Sequence, residues 1–575
     1  MDTTTYFSEP TPIQKRYEAL KIFYTEKHSA QKVANEFGYS EAYFKKLRFE
    51  FAQSLKNDRD PFFKSKKHGP KSRFTHDKII AEIVALRKQN HSILDIKVIL
   101  EAKEITIALD TIDKILKSEG FAALMRRTQQ ERQLVQIPKK IAAPMCKALE
   151  IRDEEFSTER GAAPLIFLPL IEELGIINAI KVAGYPETSV ISATSSVLSF
   201  LALKLLGNER LSHEARWNLD RALGFFAGLN VLPKKSTLSS YSYRVSRGTN
   251  KKLLSALSEI FKSSDEEGEF NLDFKTIPHW GDASVLENNW SGMNRRAIKS
   301  LLALIVQNPA TGNLSYTDAE IKHRDQSGAV LDFVDFWKEG RGESPKMLIF
   351  DSKFTTYENL NKLNKDDIKF LTLRRRGQKL CEQVSAIEKD QWQNIRIDGE
   401  KRKNKNMRVY DGFCDLGKYE GKVRQIILTG HGRMHPTFLI TNDLRTKVKD
   451  LVKKYARRWL VEQEIAEQIA FFHLNQPSSS IVVKVDFDLT LSLLAHNLYR
   501  KLTDKLIGFE KCTVPTIYRN ILENGANIKI TNNEVIVRLK KKTHLPILFQ
   551  LPWLQKKTYL SWMGLNIKFE AGTTS

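Results

Sequence analysis

The chain has little cysteine: four residues in 575, at positions 146, 381, 414 and 512, with no CxxC pair. That scatter argues against a disulfide framework and a cysteine-bound zinc site, and it fits a reducing compartment. Long apolar runs are also lacking. No stretch reaches the roughly eighteen apolar residues that a membrane helix needs. The opening MDTTTYFSEPTPIQKRYEAL has no apolar signal-peptide core,. The expectation is a cytoplasmic protein, nucleoid-associated if its partner is DNA, and without a membrane partner. Acidic residues are scarce relative to basic ones: 68 Asp plus Glu against 91 Lys plus Arg, a net charge of +23. An excess of this size attracts polyanions, most often nucleic acid. A chain this long exceeds one hydrophobic core and is expected to form several domains.

What is present begins with helices. In residues 1–60, TPIQKRYEALKIFYTE reads as a first helix. SAQKVANEFGYSEAYFKKLRFEFAQ then reads as a second helix, a turn at Gly38, a cap at Ser40 and a third helix,. This is the outline of a helix-turn-helix, whose last helix enters the major groove of DNA. Glu41, Tyr43, Lys45, Lys46 and Arg48 are the candidate readers, with Ala42, Phe44 and Leu47 toward the module core. Residues 61–74 are a linker rich in Lys and Arg and broken by Gly69-Pro70, suited to a solvated hinge or to lying along phosphates,. Residues 75–130 hold a second module of the same kind, with Thr111, Asp113, Lys114 and Lys117 on its exposed face.

Residues 145–265 read as helical and carry no chemical constellation. From 270 the period changes. FKTIPHWGDASV reads as a strand, and SLLALIVQNPATGNLSYTDAEIKH as two strands around a turn,. The helix GAVLDFVDFWKEG, the strand PKMLIFD, the helix YENLNKLNK and the strand IKFLTLRRR follow. Antiparallel strands followed by strand-helix-strand give an α/β class with a mixed sheet and covering helices. Asp282 follows the first strand, and Asp351 ends a buried central one, where polar groups of α/β sheets meet ligands. Each has a plain structural alternative, a turn for Asp282 and a helix cap for Asp351. Farther on, Tyr455, Arg458 and Glu462 recur at i, i+3 and i+7 in KKYARRWLVEQEIAEQIAFF, along one helical stripe,.

Two Asp on strands and a Glu on a later helix resemble the DDE transposases with a ribonuclease H-like core. The Y-x2-R-x3-E spacing of Tyr455, Arg458 and Glu462, with YARRWLVE around it, resembles the insertion sequence 4 group of bacterial transposases. HWGDAS and LIFDSKF resemble the blocks that hold the group's two aspartates. The similarity covers about 270 to 500: a first core part at 270–376, a β-rich insertion at 377–436, and a second core part at 437–505 with the Glu helix. Residues 506–575 follow as a C-terminal region with the hairpin-like NIKITNNEVIVRLKKK, suited to a sheet edge or to touching DNA. The sequence departs from the group at Ile469, where the motif places a phosphate-holding Lys. Lys353 and His473 are possible substitutes.

The resemblance implies a cut-and-paste DNA transposase that nicks element ends and transfers strands by in-line phosphoryl transfer. It implies two Mg2+ ions, with Mn2+ able to substitute, on Asp282, Asp351 and Glu462, which suit hard cations. Arg458 would grip one phosphate with its guanidinium fork and Tyr455 another with its hydroxyl. Trp280 and Trp290 are candidates for stacking on a flipped base, with burial in the core the commoner fate of Trp. The partners implied are double-stranded element and target DNA, and a second copy, since two ends are cut together. Two rival readings are a catalytically silent, transposase-derived DNA-binding regulator and a stand-alone ribonuclease H-like nuclease.

Overall fold

The computed structural model describes residues 10–57, 62–63, 77–89, 91–122, 145–207, 211, 217–262, 268–278, 286–291, 296–354, 356–397, 406–432, 434–473, 482–510 and 512–572, with backbone alone along 459–470. The chain divides into two compact units, residues 1–141 and 142–575.

In the first unit, Thr11 caps the helix Pro12–Thr25 through a capping box with Gln14. Ser29 caps Ala30–Glu36, the chain reverses at Gly38 with φ +67°, and Ser40 caps Glu41–Lys56. A residue with a Cβ is strained at that φ, so glycine sets the turn between the second and third helices. Ala19, Leu20, Val33, Ala34 and Phe44 form the core of this trio. Phe44 and the partly buried Leu47 face that core as expected, but Ala42 is exposed. Two residues along a helix turn the chain by about 200°, so a stripe through Phe44 leaves Ala42 outside. A second trio, Asp77–Lys88, Ile93–Glu101 and Leu109–Ser118, closes around Ile83, Ile96, Leu100, Ile112, Ile115 and Leu116.

The second unit holds two sheets. Its strands are β1 (Glu154–Thr158), β2 (Glu269–Pro278), β3 (Asn288–Ser291), β4 (Arg296–Gln307), β5 (Leu314–Ile321), β6 (Met347–Phe350) and β7 (Lys369–Leu373). They continue with β8 (Gln393–Arg396), β9 (Asn406–Asp415), β10 (Lys422–Thr429), β11 (Thr437–Thr441), β12 (Ala526–Ile530), β13 (Glu534–Leu539), β14 (Thr558–Leu560) and β15 (Leu565–Ala571). The larger sheet contains β5-β4-β2-β6-β7 side by side, with β4 antiparallel to both β5 and β2, and β6 parallel to both β2 and β7. Counted from β2, β4, β5, β6 and β7 as first to fifth, the order is third, second, first, fourth, fifth, with the first three antiparallel. That is the ribonuclease H-like arrangement. Beyond β7 the sheet continues antiparallel through β11, β10, β9 and β8. The segment between β7 and β11 therefore prolongs the core sheet. Every residue of β6, Met-Leu-Ile-Phe, is buried, as a central strand covered on both faces requires,.

The two faces have different covers. Phe270, Leu272, Leu348 and Phe350 join the main hydrophobic core, which includes the helices Ala329–Arg341 and Val482–Thr503. Met347, Ile349 and Leu371 face a second core with Leu451, Val452 and Tyr455 of the long helix Val448–Phe471.

Three elements differ from the sequence reading. The strand expected over FKTIPHWGDASV starts earlier, at Glu269, and is described to Pro278, the rest of the segment lying outside the described residues. The segment opening with IVVKVDFDL, whose β-branched residues favour an extended chain, is helical from Val482,. Burial overrides its β-branched residues: Asn497 bonds both the amide and the carbonyl of Leu314, and the Asp486 carboxylate accepts from the Ala319 amide, so the helix serves β5 where a strand would. The third is β1, a five-residue strand inside the region read as helical. It pairs with β12 in a separate sheet ordered β1-β12-β13-β15-β14, so the C-terminal hairpin adds no edge to the core sheet.

Candidate active site

The long helix lies against β2 through a ladder of ion pairs. Lys454 pairs with Glu269, and four residues on, the Arg458 guanidinium lies 3.6 Å from Asp273. Glu269 and Asp273 are likewise four apart, so they share one face of the strand. The residue spacing matches on both elements. Position 462 is the next four-residue step along the helix,.

The register of β2 against β6 adds the second carboxylate. Glu269 pairs with Met347, Phe270 with Leu348 and Asn271 with Ile349. The pairing runs to Asn271 and Ile349, and the same count two residues further along each chain aligns Asp273 with Asp351. Met347 and Ile349 face the long helix, so Asp351, the next odd position, follows on that side where β6 ends. Asp351 Oδ1 accepts from the Ser352 amide at 2.6 Å and from its hydroxyl at 3.2 Å, which fixes the carboxyl at the turn. Asp273 and Asp351 are both half-buried, so both are reachable from solvent.

Each residue singled out from the sequence has a place or lies outside the described residues. Asp282 and Trp280 lie outside them, as does most of the basic linker. Glu462 and Ile469 are described by backbone alone, within the long helix. The Tyr455 ring is 2 % exposed within the second core, and the Arg458 guanidinium sits 5.2 Å from its centroid. Lys353 is exposed on the turn Ser352–Phe354 that follows Asp351. His473 bonds the Gly207 carbonyl through Nε2 at 3.0 Å. Trp290 is 59 % exposed on β3.

In the first unit Tyr43 is exposed and tilts against Tyr39, while Lys45 and Lys46 are exposed and pair with Glu41 and Glu50. Arg48 is partly buried, its guanidinium 3.7 Å from the Phe23 ring centroid.

Asp273 was not among the residues singled out from the sequence. Its signal was the FNLDF run, where a carboxylate sits at the centre of an apolar stretch. The acidic SSDEEGE before that run hid the start of the strand.

Residues 288–498 match the family model described as Transposase DDE domain. The chain carries a transposase DDE domain. An enzyme of that kind cuts and transfers DNA, and DDE transposases generally use divalent metal ions. The matched stretch includes Asp351 and Glu462 but starts after both Asp273 and Asp282, so it does not choose between them. No curated protein matches the chain. One solved structure, titled "Mos1 transposase paired-end complex with left transposon end", is 11% identical, covering 63% of this chain and 78% of that one at a TM-score of 0.13. So low a score carries no argument here, and the strand order stands on its own. Among the described residues of this DDE domain and its flanks, no three His, Cys, Asp or Glu side chains converge as a metal site, and no helix is long and apolar enough to cross a membrane.

Proposed function

We propose that this DDE transposase cleaves double-stranded DNA at element ends and joins the freed 3′-OH to target DNA, with Asp351, Glu462 and a β2-borne or β2-adjacent aspartate at its centre. The observation that supports this reading is the parallel pairing of β2 with β6, whose count continued two residues aligns Asp273 with Asp351, together with the Arg458–Asp273 contact from the helix that carries Glu462. For the first carboxylate the geometry favours Asp273, while Asp282 remains the candidate from sequence. The donor set is all carboxylate oxygen, which suits two hard cations such as Mg2+, with Mn2+ as substitute. Bound there, such ions would ease deprotonation of the attacking water and stabilise the leaving oxygen.

The chain's own residues do the rest. Arg458, buried beside Asp273, balances its charge, and the motif resemblance gives its guanidinium fork the further role of holding a phosphate. Tyr455 packs beneath it and sets its direction, in addition to the phosphate contact that the motif resemblance implies. Lys353 is the cation nearest in sequence to Asp351 and takes the role that Ile469 leaves open. In the first unit, Tyr43, Lys45, Lys46 and Arg48 line the helix assigned to the major groove. The 1–60, 75–130 and core divisions follow this assignment, and two copies act together on two ends.

The test is incubation of the full chain with linear DNA carrying its native element ends and Mg2+, beside Asp351→Asn and Glu462→Gln. Cleavage and strand-transfer products from the wild type alone support the assignment. Binding without cleavage by all three proteins would overturn it in favour of a DNA-binding regulator.

A further inference from the structure

The C-terminal region supplies a basic cleft that the catalytic assignment does not use. It has a volume of about 1290 Å³ and is lined by Arg519, Asn520, Lys541, Lys542 and His544. Leu545, Pro546 and Phe549 contribute apolar surface. Arg519 and Asn520 are exposed on a π-helical turn, Tyr518–Leu522, a geometry that proteins keep mostly at functional sites,. The lysines follow β13 directly, where the chain leaves the sheet.

Charge decides what such a cleft can hold. Between 519 and 544 the chain has six Lys or Arg, at 519, 529, 538, 540, 541 and 542, against two acids, Glu523 and Glu534. Glu534 is paired with Lys557, and Arg538 with Glu570. Lys542 is anchored to the Glu523 carbonyl, so its ammonium is held at the wall. Among the described residues no ion pair joins Arg519, Lys540 or Lys541 to a carboxylate, and no carboxylate lines the cleft. A surface loop whose only role is solubility normally mixes both signs. Three cations and no carboxylate in the lining of an open cleft suit a polymer with repeated negative charge.

We propose that this cleft binds the phosphodiester backbone of duplex DNA, as a contact separate from both the catalytic centre and the N-terminal helices. The proposal rests on the DNA-transposase reading, which supplies the polyanion. Contacts to phosphate position a protein without reading sequence, so the cleft would hold element and target DNA alike.

The test uses the full chain without divalent metal, so that DNA stays uncut, and measures affinity for a labelled linear duplex over a range of salt. The variant Arg519→Glu/Lys541→Glu is compared with Lys181→Glu/Lys252→Glu, which makes the same change in net charge at exposed sites elsewhere. Thermal melts check that each variant is folded. The expected result is an affinity loss about tenfold larger for the cleft variant. The slope of log K against log salt should also fall by about 1.8, for two phosphates at roughly 0.9 each. Equal losses in the two variants, or an unchanged slope, would overturn the cleft alone. A wild-type chain that binds no duplex would overturn the DNA reading and the cleft together.

Discussion

At the scale of residues, the proposed centre turns on which aspartate joins Asp351 and Glu462. Asp273 lies on β2 and its carboxylate is 3.6 Å from Arg458 of the long helix, whereas Asp282, nine positions along the sequence, lies outside the described residues. A group that must hold a cation beside Asp351 gains from a rigid element, because small misplacements cost large factors in rate. The expected outcome is that Asp273→Asn lowers end cleavage by at least about a thousandfold, while DNA binding stays at the wild-type level. Asp282→Asn should keep most activity. Gel assays of cleaved ends read both variants, and loss in Asp282→Asn with retention in Asp273→Asn would return the role to Asp282. The sequence showed the Asp351 block and the Tyr455–Arg458–Glu462 stripe clearly, because a buried strand and an amphipathic helix both have strong periods. It did not show Asp273, because a carboxylate inside an apolar run looks like an interruption until its neighbour on the next strand is known.

At the scale of elements, the helix Val482–Thr503 shows why a β-branched opening misled. Its polar residues are held by partners far away in sequence. Asp486 is fully buried and bonds Arg247 at 2.6 Å and Asn250 at 2.7 Å, while Arg247 also reaches Asp318 at 3.0 Å. Burial raises the Asp486 carboxyl above its usual range, against the pull of Arg247. Local propensity cannot report such links. His496 on the same helix gives a measurable consequence. Its ring is fully buried and bonds the Gly312 carbonyl at 3.0 Å, and burial pushes its pKa down to about 4 from 6.5. The folded value lies below the unfolded one, so the unfolded chain takes up the proton first as pH falls. Stability is therefore complete above about pH 6.5 and declines as pH drops toward 4, by about 3 kcal/mol at order of magnitude. Urea melts at pH 7 and pH 4.5 should show this loss in the wild type. The variant His496→Gln should be less stable at pH 7 but lose less on acidification, and an equal loss in both would assign the acid sensitivity elsewhere.

For the whole molecule, the proposed function divides the work between the two units: groove binding to the capped helices of the first and chemistry to the carboxylates of the second, in a chain of net charge +23. Specific readout needs base contacts, while the backbone attraction of a basic chain is indifferent to sequence. Substituting Lys45→Ala and Lys46→Ala together should therefore narrow the affinity gap between element-end DNA and random DNA, and reduce the salt slope by about 1 for each phosphate no longer neutralised. The same variant should still nick supercoiled DNA with Mg2+ at high protein concentration, because Asp351 and the long helix are untouched. Competition binding with both DNAs, and a nicking assay beside it, measure the two effects separately. An unchanged affinity gap would remove the third helix from end recognition and pass that role to the second helical trio, whose Lys114 and Lys117 are also exposed. Loss of nicking together with the gap would show instead that the first unit is needed for the chemistry.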